Sequence, residues 1–154
     1  MNPYGIQLRH PLPGDIVGAR LTVAAIGTAF EASYGWRLVA GGNRVAEGFF
    51  TAGSTGTLEA FVHDTAVETS HTGRATLQVF GDDPSGQTDG ADLVEVPVVV
   101  LPGRRGYVPH QVVGGDTLSK LARRYDSSVE HIALANGLAD PNRIRIGQLL
   151  RVPV

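Results

Sequence analysis

Residues 114–125 read GGDTLSKLARRY, followed by LANGL at 134–138 and DPNRIRIGQLLRVP at 140–153. An apolar stretch beginning at Val112 and Val113 stops at Gly114 and Gly115, where glycine turns the chain without a side-chain clash. Asp116 or Thr117 can cap a helix by accepting from its first free amides, and Leu118, Leu121, Ala122 and Tyr125 then fall at i, i+3, i+4 and i+7. A second helix is predicted from Ser127 or Ser128, with Ser127 and Glu130 spaced as a capping box. It turns Val129, Ile132, Ala133 and either Ala135 or Asn136 inward. Gly137 stands where a helix commonly ends, Pro141 and Asn142 make a turn, and Leu149, Leu150 and Val152 supply a closing strand before Pro153. The expected order is strand, helix, helix, strand.

The segment from His110 to Pro153 resembles a LysM domain. The resemblance is carried, in order, by Gly115, Asp116, Thr117, Leu118, Leu121, Ala122, Asn136, Ile144, Gly147, Gln148, Leu150 and Pro153. His110, where the family often has tyrosine, and Ile146, where proline is common, depart from the pattern. The resemblance implies binding of N-acetylglucosamine polymers, as in peptidoglycan and chitin, in a shallow groove between two loops. These loops map to Gly115, Asp116, Thr117, Leu118 and Ser119 and to Asp140, Pro141, Asn142, Arg143 and Ile144. Main-chain groups there would bond the N-acetyl group, with Leu118 and Ile144 packing on its methyl and the sugar face. The same residues also read as turn and core positions that the fold needs whatever it binds.

Upstream the pattern changes to short extended runs separated by Gly, Pro and Asp, which predicts an all-β sandwich. Seven strands are expected, over 6–9, 20–28, 33–40, 44–50, 57–63, 74–80 and 92–101. Alternation puts Tyr34, Trp36 and Leu38 on one face, and likewise Leu58, Ala60 and Val62, and Ala75, Leu77 and Val79. Pro97 suggests an edge or a bulge because it has no N–H for a ladder, and Gly41, Gly42 and Asn43 suggest a hairpin turn. This region, roughly Ile6 to Leu101, resembles the immunoglobulin-like domain associated with bacterial spore germination proteins. It does so through HPLPGDIV at 10–17, Phe30 and Glu31, WRLVAGGNRVAEG at 36–48 and TLQVFGDDPSG at 76–86. Trp36 is the expected core anchor.

The division is therefore an immunoglobulin-like β-sandwich over 1–102, a linker over 103–109 and a LysM domain over 110–154. The linker, within PGRRGYVP, reads as a short semi-flexible joint that lets the domains move. Charge follows the split: residues 1–102 carry five Arg and no Lys against eleven Asp and Glu, whereas 103–154 carry eight basic against four acidic residues. A basic second part favours an anionic surface such as a wall. Nucleic acid is not expected as a partner, because the arginines lack interleaved aromatics or a recognised motif.

With no cysteine, disulfides and thiolate chemistry are excluded. The amino terminus has no apolar run of signal-peptide length, and nowhere are there eighteen apolar residues to cross a bilayer. Two locations stay open: cell wall or exterior if a leader has been removed, cytoplasm otherwise. His63, Asp64, Glu68 and His71 match no metal-site spacing, and Asp82, Asp83, Asp89 and Asp92 fail the order of a calcium loop. No nucleophile elbow, phosphate loop or dinucleotide fingerprint occurs, so neither catalysis nor a cofactor is expected. The expected role is noncatalytic wall-glycan binding with the sandwich as spacer or protein-docking domain; the alternative is an assembly protein using both domains for protein contacts.

Overall fold

The computed structural model describes residues 5–29, 32–53, 56–81 and 93–154. Phe30, Glu31 and the aspartates at 82, 83, 89 and 92 lie outside them. Among the described residues eight strands build the first domain: β1 (Gln7–His10), β2 (Asp15–Val17), β3 (Arg20–Gly27), β4 (Ser33–Ala40), β5 (Asn43–Thr51), β6 (Glu59–Ala66), β7 (Gly73–Gly81) and β8 (Val94–Val100). They form a three-stranded sheet, β1-β3-β6, and a five-stranded sheet, β2-β8-β7-β4-β5. The second domain contributes β9 (Tyr107–Gln111), α1 (Leu118–Arg124), α2 (Val129–Ala135) and β10 (Leu149–Pro153), with β9 and β10 paired antiparallel. An all-β sandwich followed by strand, helix, helix, strand is the predicted class.

Between the sheets the alternating residues of β4 and β7 are buried: Tyr34, Trp36 and Leu38 face inward with Ala75, Leu77 and Val79. Tyr34, Phe50 and Phe61 gather as an aromatic cluster, with Tyr34 5.4 Å from Phe50 and 4.8 Å from Phe61 between ring centroids. Such offset and tilted pairs add to the area term by about 0.5–1.5 kcal/mol each. The hairpin joining β4 to β5 is the two-residue turn Gly41–Gly42, with φ of 58° and 80°, a geometry open to glycine without steric cost.

Three expectations need correction. In β6 the inward residue is Phe61; Ala60 and Val62 face out, with Val62 74% exposed, and Leu58 precedes the strand, 39% exposed. An aromatic side chain that completes the Tyr34–Phe50 cluster outweighs three smaller apolar ones, so the strand sits in the opposite phase. Pro97 is on an interior strand, because the unpredicted β2 pairs parallel with β8. That pairing begins only at Asp15↔Val98, while the Pro97 carbonyl accepts from Gly14 N at 2.8 Å. The proline nitrogen faces the same side just beyond the end of β2, where no ladder bond is lost. In the second domain the first strand is Tyr107–Gln111, upstream of Val112, so residues 107–109 of the predicted linker belong to a sheet.

Nor is the joint loose. The Arg104 carbonyl accepts from Ala19 N at 2.8 Å, and Arg105 N donates to Val154 O at 2.7 Å, so this segment is stitched to both domains. A Cβ at Gly18 would collide with the Arg104 carbonyl, and only glycine allows this approach. Val99 and Leu101 pack with Ala135, Ile16 and Leu134 across the seam. Arg104 Nε donates to His131 Nδ1 at 2.9 Å and its Nη1 to Asp126 O at 3.0 Å.

His131 must be neutral at Nδ1 to accept that bond. Burial, then the Arg104 charge, hold its pKa below the usual 6.5, against a smaller raising effect of Glu130. The released form therefore binds the proton more readily, and docking is expected to be strongest above pH 6.5 and to weaken as pH falls below it. NMR relaxation should show the two domains tumbling as one at neutral pH and more independently under mild acid. His131→Asn should flatten that dependence; a native profile unchanged by pH would contradict this account.

Candidate functional site

The site begins with the cap of α1. Thr117 adopts extended backbone angles and its hydroxyl accepts from Lys120 N at 3.2 Å, which fixes the start of the helix. Asp116 takes the other role open to it. Its Oδ2 accepts from Val113 N at 2.9 Å, closing the turn, and lies 2.9 Å from His110 Nε2. A carboxylate only accepts, so His110 Nε2 carries the hydrogen. The other ring nitrogen, Nδ1, lies 2.8 Å from the Tyr125 hydroxyl. His110 is thus a buried strut joining β9, the loop and the end of α1. Those hydrogen bonds, the Val113 amide first, hold the Asp116 pKa below 3.8.

The second loop is braced separately. Asp140 Oδ1 accepts from Asn142 N at 2.9 Å, Asp140 O from Arg143 N at 3.1 Å, and Arg143 pairs with the Asp140 carboxylate at 3.5 Å. Gly147 N donates to Val112 O at 2.7 Å and Val112 N to Gln148 O at 2.9 Å, which ties this loop to the strand that enters the first.

Between the loops lies a groove of about 120 Å³. Of the ten residues expected there, Asp116, Thr117, Leu118, Ser119, Pro141, Asn142 and Ile144 line it. Gly115, Asp140 and Arg143 do not: Gly115 has φ of 87° and serves the turn, while its carbonyl accepts from Lys120 Nζ at 3.0 Å. Asp140 and Arg143 bond each other and their own loop. Val129 is the lining residue that sequence reading assigned only to the helix core. Its signal was its place at the first turn of α2, beside the second loop. That helix is capped by Ser128, whose Oγ accepts from His131 N at 3.1 Å, so the Ser127–Glu130 box does not form and the Ser127 hydroxyl is buried without a partner.

Leu118 is buried and Ile144 half-buried against the core of this domain, giving the groove an apolar floor. Among the described residues, the Leu118 and Ser119 amides have no acceptor. Elsewhere the acidic and histidine residues of 63–71 are engaged separately: His63 stacks on Phe50 with centroids 4.2 Å apart, Asp64 pairs with Arg20 at 2.8 Å, and His71 Nε2 lies 3.0 Å from Arg74 O. Among the described residues no group of three or more His, Asp or Glu is placed to hold a metal ion, and no helix is long and apolar enough to cross a membrane.

Comparison with known families matches residues 5–88, more than half of the chain, to the immunoglobulin-like domain of bacterial spore germination. The chain belongs to that family. Its residues 110–153 match the LysM domain, so the spore-germination-type sandwich is followed here by a LysM module. Over 46 residues, 30% of this chain and 16% of the relative, it is 48% identical to the secreted LysM effector slp2 of Pyricularia oryzae. It is 33% identical over 72 residues, 47% of this chain and 28% of the relative, to the secreted LysM effector ECP6 of Passalora fulva. Over 64 residues, 37% of this chain and 14% of the relative, it is 44% identical to the esterase Rv1288 of Mycobacterium tuberculosis. The chain spans at most 28% of the length of these relatives. Among solved structures, the CARDB domain of a Pyrococcus furiosus protein is similar over 63% of this chain and 93% of its own, with 16% identity and a TM-score of 0.39.

Proposed function

We propose that this protein binds N-acetylglucosamine-containing glycan, as found in peptidoglycan and chitin-like oligomers, through the groove between the two loops, without catalysis. The observation that carries the reading is the meeting of Asp116, Thr117, Leu118 and Ser119 with Pro141, Asn142 and Ile144 around an apolar floor, with the Leu118 and Ser119 amides left without an acceptor among the described residues. Leu118 and Ile144 offer a surface for an acetyl methyl and a pyranose face, while the Leu118 and Ser119 amides offer donors to its carbonyl. The two relatives named as LysM effectors support a binding role for the module. The sandwich, over about 1–102, serves as spacer or protein-docking domain, with the connecting segment ending before Tyr107, where the second domain's first strand begins.

Each hydrogen bond contributes about 0.5–1.5 kcal/mol net, because both partners leave water. One short groove therefore holds a single glycan weakly, and retention on a polymer depends on many copies of the repeat unit raising the effective concentration. Incubated with insoluble peptidoglycan and with chitin, the protein is expected in the pellet and to be released by soluble chitin oligomers. Protein that stays in the supernatant with both polymers would instead support the assembly role.

A further inference from the structure

Among the described residues the sandwich has four edge strands, β1 and β6 on one sheet and β2 and β5 on the other. A free edge offers main-chain donors and acceptors to any passing strand, and folded proteins blunt such edges with shortness, bulges, proline or charge. β2 is three residues long; β1 is four, is irregular between Leu8 and His10 and is followed by Pro11. The pairing that holds β5 shifts between Leu38 and Val39, and exposed Arg44 and Glu47 lie along it. β6 is eight residues long, keeps one unbroken register with β3 from Arg20↔Ala66 to Gly27↔Glu59, and contains neither proline nor lysine. The one charge on its outer face, Asp64, is drawn back over β3 by Arg20 at 2.8 Å and Thr22 at 3.2 Å.

Which main-chain groups of β6 are free follows from the ladder. Val67 N donates to Ala19 O at 2.9 Å, and bonded and non-bonded residue pairs alternate along an antiparallel ladder. Phe61 and His63 therefore spend their N–H and C=O on β3, whereas Ala60, Val62 and Asp64 turn theirs to the open edge. On the outer face of that edge Val62 is 74% exposed, next to exposed Ala60. On the other face His63 is held flat against Phe50, with ring centroids 4.2 Å apart and planes 7° from parallel. Among the described residues neither the His63 ring nor the Glu59 carboxylate makes a hydrogen bond.

We propose that β6 pairs antiparallel with β6 of a second copy, centred on Phe61. This register sets Ala60 against Val62 of the second copy and Glu59 against its His63, and the two-fold symmetry repeats both pairs. Ala60 and Val62 are the residues whose main-chain groups face outward, so they exchange the ladder bonds. A centre at Val62 would set Ala60 against Asp64, and a centre at His63 would set Val62 against Asp64 and the two imidazoles against each other. Neither gives Glu59 a basic partner. The edge is thus complementary to itself, which selects a second copy over an unrelated strand. The inference goes beyond the glycan reading and does not rest on it, although a dimer would carry two LysM modules and so raise retention on a polymer.

The test is sedimentation velocity of the full chain with no glycan present, so its outcome is separate from that of the groove. A dimer is expected, with a dissociation constant of about 100 µM or below. Val62→Lys, a change at an exposed side chain, should raise that constant by about tenfold or more while the fluorescence of buried Trp36 stays native. His63→Glu should also weaken the dimer by opposing Glu59, and adding Glu59→Lys to it should restore the pairing, a reversal that lost stability alone would not produce. A monomer at millimolar protein, which would leave the edge to a strand of another protein, would overturn the inference. So would a dimer indifferent to Val62→Lys, held by some other surface, or a double variant no tighter than His63→Glu.

Discussion

Replacing Asn136 with alanine is expected to destabilise the LysM module by about 2–4 kcal/mol, the cost of leaving the Arg151 N–H and C=O without partners. The Asn136 side chain bridges the end of α2 and β10: Oδ1 accepts from Arg151 N at 2.8 Å, and Nδ2 donates to Arg151 O and Ile132 O, each at 2.7 Å. Arg151 stands opposite Pro109 in the β9–β10 ladder, and its N–H and C=O point away from that partner. A two-stranded sheet has no third strand to receive them, and Asn136 takes the place of one. The same geometry explains why Pro109 is tolerated in β9, since its missing N–H would also have pointed outward. Helical dichroism should report the loss in a thermal melt, while fluorescence of Trp36, the single tryptophan and buried in the sandwich, serves as internal control. For a module this small the midpoint should fall by about 10 °C or more. A melt within about 0.5 kcal/mol of native, the range of an ordinary surface substitution, would remove Asn136 from this role.

Thr117→Arg, Ser119→Arg and Ile144→Asp are each expected to lower glycan affinity by about tenfold or more, close to 1.4 kcal/mol. The three differ in side effects. Thr117 caps α1, and losing the cap costs about 0.5–2 kcal/mol of stability; Ile144 packs on the module core, and a carboxylate there is poorly solvated. Ser119 is exposed at the groove and its side chain supports nothing else among the described contacts, so its arginine variant should fold as the native chain does. Loss of cosedimentation in that variant, with helical dichroism intact, isolates the groove. Undiminished sedimentation of all three folded variants would move the contact elsewhere on the protein.

Much of this architecture was legible in the sequence because local chemistry and tertiary packing agree. β4 spans Ser33–Ala40 as read, since Tyr34, Trp36 and Leu38 alternate with polar or small residues and the glycine pair at 41–42 ends the run. The stripe Leu118, Leu121, Ala122 is buried as its spacing requires. Misreadings fall where a distant partner decides. Leu58, Ala60 and Val62 form a proper alternating face, and only the waiting Tyr34–Phe50 cluster makes Phe61 the inward residue. β2, three residues long, gains its identity from pairing with β8, which no local pattern reveals. His110 looked like a lapse from a tyrosine position, yet it connects Asp116 to Tyr125. The linker's Gly and Arg residues read as loose because neither Gly18 nor His131, remote in sequence, signals that it receives Arg104. Seven of the ten expected residues line the groove, whereas Gly115, in its turn, and the Asp140–Arg143 pair could not be separated from them by spacing alone.

The central claim, that the two loops form one glycan-binding groove, is tested most directly by titrating the native protein with a chitin oligomer while following its backbone amides. Resonances of 116–119, 129 and 141–144 should move together along one saturable curve at millimolar ligand or below, with the sandwich strands unmoved. Loops that stay still, or shifts spread over the sandwich instead, would contradict it.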